Sequence, residues 1–128
     1  MAVLGSMLIE REAAEKALDL LHETDFYLDS HKRIYRSIHA LFSAGQAIDV
    51  VTVSEELRKK SELDGIGGGA FLAELIGKVT TAAHVDYYAK LVKEKAILRD
   101  LIAAATGVVT ACYTQEKDPK QILDEAQG

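Results

Sequence analysis

A chain of 128 residues fits one domain, and 48% apolar with 27% charged residues is ordinary for a soluble globular fold. A net charge of -5 speaks against a domain that grips nucleic acid through its phosphates, since such domains are usually basic. The lone Cys112 excludes an intrachain disulfide and favours a cytosolic home, the start from Met1 to Ile9 lacks the basic n-region of a secretory signal, and no continuous apolar run approaches the roughly 18 residues of a membrane span.

The chain opens abruptly on apolar residues, which suggests a natural chain trimmed upstream. Leu4, Met7, Leu8, Ala14, Ala17, Leu18 and Leu21 recur at three- and four-residue steps, so the first twenty residues read as one helix or two short ones. Asp25-Phe26-Tyr27 follows, and its two aromatics are expected to plug the core beneath a turn. Ser30 is the expected N-cap of the next helix, Ile34, Ile38, Leu41 and Phe42 its buried face, and Gly45 the left-handed residue that ends it.

Ile48 to Val53 is rich in β-branched residues, but no second strand pattern exists to pair with it, so it reads as an extended, buried linker. Thr52 and Glu55 have capping-box spacing and predict a helix to about Lys60. Four glycines between Gly65 and Gly69 make the clearest break; a short helix with Phe71, Leu72, Leu75 and Ile76 then stops at Gly77.

From His84 to Tyr113 there is no proline and one glycine, Gly107, which predicts a helix roughly 45 Å long. Tyr88, Lys95, Ile102 and Val109 repeat every seven residues, and Leu91, Leu98, Ala105 and Cys112 do so three residues later. This is an a/d seam with one charged a position, and it requires a partner helix. Asp118 and Pro119 form an N-cap and N1 pair that opens a returning helix through Gln121, Ile122, Leu123 and Ala126. The expected fold is all-α: a globular head of short helices over residues 1–80, then a long helix that starts a helical hairpin over residues 81–128, with the second arm truncated. A long helix without a matching arm in its own chain predicts association with another copy.

Chemistry-bearing motifs are few. Gly65-Ile66-Gly67-Gly68-Gly69-Ala70 matches a G-x-G-x-x-A dinucleotide fingerprint, but Ser61-Glu62-Leu63-Asp64 before it is not a parallel strand, so a loop is the expected role. Around Gly77-Lys78 a phosphate loop would need glycine at position 72 and Ser or Thr at 79; Leu72 and Val79 stand there. His22, His31, His39 and His84 have no zinc-helix spacing, and Cys112 at a d position reads as a buried structural thiol. No catalytic, cofactor or metal residue is therefore expected, and this chain alone should not be an enzyme. Lys90, Lys93, Lys95 and Arg99 interleave with Glu94 and Asp100 as a solvated face. Ile102, Val108, Val109 and Cys112 are apolar with little of this chain to cover them, which marks a partner surface.

Several stretches resemble the N-terminal domain of bacterial replicative DNA helicases of the DnaB type. They are Ala2-Val3-Leu4-Gly5; Asp25-Phe26-Tyr27 with His31 and Ile34-Tyr35; Gly45 to Val53 against G-x-P-[IV]-D-x-V-T; Gly67 to Leu75 against G-G-x-x-[YF]-L-x-x-L; Ala82 to Ala89 against A-A-N-[IV]-x-Y-Y-A; and Glu94-Lys95 with Leu98 to Ile102. Their order and spacing run over nearly the whole chain. Ala47 and Thr80 replace common prolines, and His84 replaces the asparagine. The family's acidic lead-in and its RecA-like ATPase domain lie outside this chain.

The resemblance implies a collar of three dimers in a hexamer, with hairpins paired between subunits and the collar docking the helicase-binding domain of primase. A helicase loader is a further candidate partner. It implies ATP and Mg in the motor domain, duplex unwinding by the whole protein, a cytoplasmic bacterial setting, little direct contact of this domain with nucleic acid, and none with membrane. Carried over, the primase-contact residues are Phe71, Ile102 and Val108, with Phe71 read equally as a core aromatic; the oligomer seam, read from the a/d period, is Tyr88, Leu91, Leu98, Ile102, Ala105, Val109 and Cys112. A small helical DNA-binding or adaptor protein is the alternative, which a salt-dependent gel shift would favour; a nucleotide-binding enzyme on the Gly65 loop is a third, which the absence of a thermal shift with NAD or ATP would remove.

Overall fold

A computed structural model describes residues 1–114 and 117–127. Among them there are seven α-helices and two 3-10 turns, and no strand. The chain divides into two compact units, Met1–Lys93 and Glu94–Gly128.

The first unit opens with α1 (Ala2–Ile9) and α2 (Arg11–Leu20). The apolar period leaves open one helix or two; Glu10 decides it, with extended backbone at φ -129°. Val3, Leu4, Met7 and Leu8 of α1 are buried almost all round, so this helix forms the centre of the core. Gly5 makes that possible: a Cβ there would lie 2.5 Å from the carbonyl oxygen of Leu75.

A 3-10 turn, Glu23–Asp25, leads into α3 (Asp29–Ser43). Phe26 is buried and its ring meets Tyr35 at 5.0 Å, but Tyr27 is 73% exposed, so one aromatic of the pair plugs the core and the other faces solvent. Leu28 rather than Ser30 occupies the N-cap position, without a side-chain bond. Asp29 starts the helix instead, acidic in the first turn as the macrodipole favours and paired with Arg33 one turn on at 2.7 Å. Ile34, Ile38 and Leu41 are buried, while Phe42 is half-buried under the Arg11 guanidinium. At the other end Gly45, at φ +70°, donates to the Phe42 carbonyl and Gln46 to that of Leu41, a Schellman stop.

α4 (Val50–Lys59) begins earlier than the sequence reading puts it. Asp49 is the N-cap, its Oδ1 accepting from the Thr52 amide at 2.9 Å while its own amide donates to Thr52 Oγ1 at 2.9 Å. The β-branched run is thus a first helical turn, with Val51 exposed, rather than an extended linker; the cap overrides strand propensity. A second 3-10 turn, Asp64–Ile66, then passes through Gly67 and Gly68, both at positive φ, into α5 (Gly68–Gly77).

α6 (Val85–Thr114) runs 30 residues, and its first turns belong to the head: Val85 and Ala89 are buried in the core and Val92 packs against it. The sequence reading places the boundary at residue 80, before this helix; the units divide within it, after Lys93. An 18-residue window of α6 has a mean hydropathy of 1.4 and no more than two charged residues. Charged residues interrupt its apolar stretches, yet by length and composition this helix is apolar enough to cross a membrane. In the second unit α7 (Pro119–Gln127) starts on Asp118, whose Oδ1 accepts from the Lys120 amide at 3.3 Å, and it buries Ile122. The link between these helices includes residues 115 and 116, outside the described residues.

Candidate assembly and docking surfaces

α6 carries apolar residues on more than one face. Val85, Ala89, Val92 and Ala96, at alternating steps of four and three, form its buried or half-buried stripe. The a/d seam lies on other positions. Tyr88 is half-buried and Leu91 is 37% exposed; Leu98 is 58%, Ile102 65% and Val109 54% exposed, and Ala105 is exposed too. Cys112, expected to be a buried thiol, is exposed. The reason is that α7 meets Cys112 only across a shallow groove, which leaves this d position open to solvent.

Two of the three residues carried over for docking lie in the second unit and one in the first. Ile102 is exposed, while Val108 is half-buried and lines a shallow apolar groove with Cys112, Pro119, Ile122, Leu123 and Ala126, between the two helices of the hairpin. Phe71, on α5, is half-buried at the edge of the head core. Its ring stacks on the imidazole of His31, on α3, with centroids 6.2 Å apart and planes 17° from parallel. Burial, and then the Met1 ammonium, push the pKa of His31 down, so this imidazole is neutral at neutral pH.

The sequence reading missed the Asp25–Lys93 pair. Asp25 is nearly buried; its Oδ2 accepts from the His22 amide at 2.8 Å and from Lys93 Nζ at 3.0 Å. Lys93 therefore leaves the solvated basic face it was expected to share and ties α6 to the turn that opens α3. The partners stand 68 residues apart, a distance over which helical spacing gives no signal. Asp49 is the other omission, and here a signal exists: an Asx residue three before Thr52.

Neither glycine segment has the geometry of a nucleotide loop. Gly65–Gly69 follows α4 and a turn, and Gly77 ends α5; neither sits on a strand-to-helix turn. Among the described residues no three His, Cys, Asp or Glu side chains gather as metal ligands.

Residues 1–94 match the family model for the DnaB-like helicase N terminal domain. The replicative DNA helicase DnaC of Bacillus subtilis is 40% identical over 126 residues, which are 98% of this chain and 28% of that protein. The replicative DNA helicase DnaB of Rhodothermus marinus is 42% identical over 127 residues, 99% of this chain and 13% of that one. The crystal structure of the N-terminal domain of DnaB helicase from Mycobacterium tuberculosis superposes with a TM-score of 0.92 at 40% identity, covering 98% of this chain and 89% of that one. This chain thus spans less than a third of either helicase.

Proposed function

This chain belongs to the family of DnaB-like helicase N-terminal domains, and from that premise we propose that it works as the non-catalytic collar domain of a replicative helicase, in the bacterial cytoplasm. It self-associates through the second unit, as a dimer and then as three dimers in a hexamer, and it docks the helicase-binding domain of primase. Duplex unwinding, ATP and Mg belong to a motor domain elsewhere in the whole protein; the glycine segments of this chain do not lie on the strand-to-helix turn of a nucleotide loop. A helicase loader is a further partner of the same collar.

The observation that carries the assembly reading is the open seam. Leu98, Ile102 and Val109 lie more than half exposed along a helix whose own chain leaves them uncovered. Exposed apolar stripes of this length mark partner sites, and a helix of this kind meets a second helix by laying the stripe into a groove. Docking through Phe71, Ile102 and Val108 rests on the family resemblance, with exposure as support for Ile102 alone. Ile102→Ala is expected to weaken binding of the primase helicase-binding domain, measured by titration calorimetry, while the far-ultraviolet spectrum and melting of the head stay unchanged. An unchanged dissociation constant on an intact fold removes Ile102 from the docking surface.

A further inference from the structure

We propose that His31 is a positioning residue for docking: its imidazole holds the Phe71 ring, for which Gly67 leaves room, in the orientation in which it anchors the partner. This deepens the docking reading above and rests on it.

Three observations converge on Phe71. First, the ring is half-buried at the rim of the core, so part of it faces solvent and part does not. Second, one face lies beside the His31 ring at 6.2 Å and nearly parallel, within the offset-stacked range for aromatic pairs. Third, Gly67 stands at φ +105°, and a Cβ built there would come within 3.0 Å of Phe71 Cβ and 3.5 Å of its Cγ. The glycine therefore permits the left-handed turn into α5 and also leaves the space that Phe71 occupies. His31 is on α3 and Phe71 on α5, so the stack joins two separated segments of the chain.

A half-exposed phenylalanine on a helix edge would otherwise move among rotamers, and a side chain that orders only on binding subtracts from affinity. A ring already fixed avoids that loss. The neutral imidazole suits this role: it presents a flat, weakly solvated face, and burial keeps the proton off it.

The test uses the whole chain and the primase helicase-binding domain as probe, with wild type, Phe71→Ala, His31→Ala and His31→Phe. Loss of the stack in His31→Ala is expected to weaken binding about 2- to 10-fold, the equivalent of ordering one side chain. His31→Phe keeps a flat ring and should bind within about twofold of wild type, as a change that restores the same ordering does. The proton resonances of the Phe71 ring, followed by NMR without any partner, should shift in His31→Ala and not in Phe71-distant controls such as His39→Ala. Helix content and sedimentation should be alike in all the His31 variants. Wild-type affinity in His31→Ala, with affinity lost in Phe71→Ala, overturns the positioning role and leaves docking intact. Equal loss in His31→Ala and His31→Phe also overturns it, because the imidazole would then be touching the partner itself. If wild type does not bind, or Phe71→Ala binds as wild type does, the docking assignment of Phe71 fails, and this inference falls with it.

Discussion

Tyr35 shows how one buried group sets the alkaline limit of the fold. It is 5% exposed, donates its hydroxyl proton to the Leu21 carbonyl and lies against Phe26. Burial first, and then the Asp25 and Glu23 carboxylates, push its pKa from 10.0 up to about 12. The fold holds the neutral phenol, so its contribution is whole below pH 10 and is lost as pH rises through about 12. Tyr35→Phe should flatten that alkaline edge and cost about 1 kcal/mol at neutral pH, where the Leu21 carbonyl loses its donor. Denaturant melts at pH 7 and at pH 11 would read both effects, and an alkaline edge untouched by the substitution would assign it elsewhere. His31 acts at the other side. Its pKa is lowered in the fold, so the unfolded chain takes the proton more readily and stability should decline as pH falls below 6.5. Gly5 is a steric case: Gly5→Ala would place a methyl 2.5 Å from a backbone oxygen of α5 and should cost about 2 kcal/mol. A melting temperature equal to wild type would mean that α1 and α5 can separate without penalty.

At the scale of elements, the legible signals were local ones and the illegible ones were long-range. Gly45 as a helix stop, Asp118-Pro119 as a helix start and the unbroken run from His84 each depend on residues within a turn or two of one another, and the structure has all three. The start of α4 misled because β-branched residues favour strands in general, whereas here the Asp49 side chain supplies the helix with a cap. Tyr27 misled because adjacent aromatics in a turn point apart, one inward and one outward. The seam was legible as a period. The separate stripe through Val85, Ala89, Val92 and Ala96 was not, because a period of three and four can be read from any of several starting residues. Gly107 offers a clean test at this scale: a Cβ there meets nothing within 4 Å, and glycine inside a helix costs about 0.5–1 kcal/mol relative to alanine. Gly107→Ala should slow amide exchange through Leu101–Thr114. Faster exchange would mean that the glycine relieves a strain in α6.

For the whole molecule, the balance of the two units matters more than any single contact. The head has a continuous core from Val3 to Ala89, while beyond Lys93 Ala96 and Ile122 alone among the described residues are buried and apolar. Leu98→Asp with Ile102→Asp should therefore leave head melting alone and raise the dissociation constant of self-association at least about tenfold, as lost burial of two large apolar side chains predicts. Sedimentation across a concentration series reads this, and an undiminished dimer would place the interface on the head.

The same imbalance turns α6 into a reporter. Its outer turns, Leu101 onward, hold together chiefly by their own backbone hydrogen bonds, and an isolated helix of that length is marginal in water. In dilute solution a protease with a taste for Leu, Tyr or Lys should therefore nick the arm between Leu101 and Lys120 long before it reaches the head. As copies or partners cover the arm, those cuts should fade in proportion to occupancy. The pattern of fragments over time would measure assembly without any label on the chain.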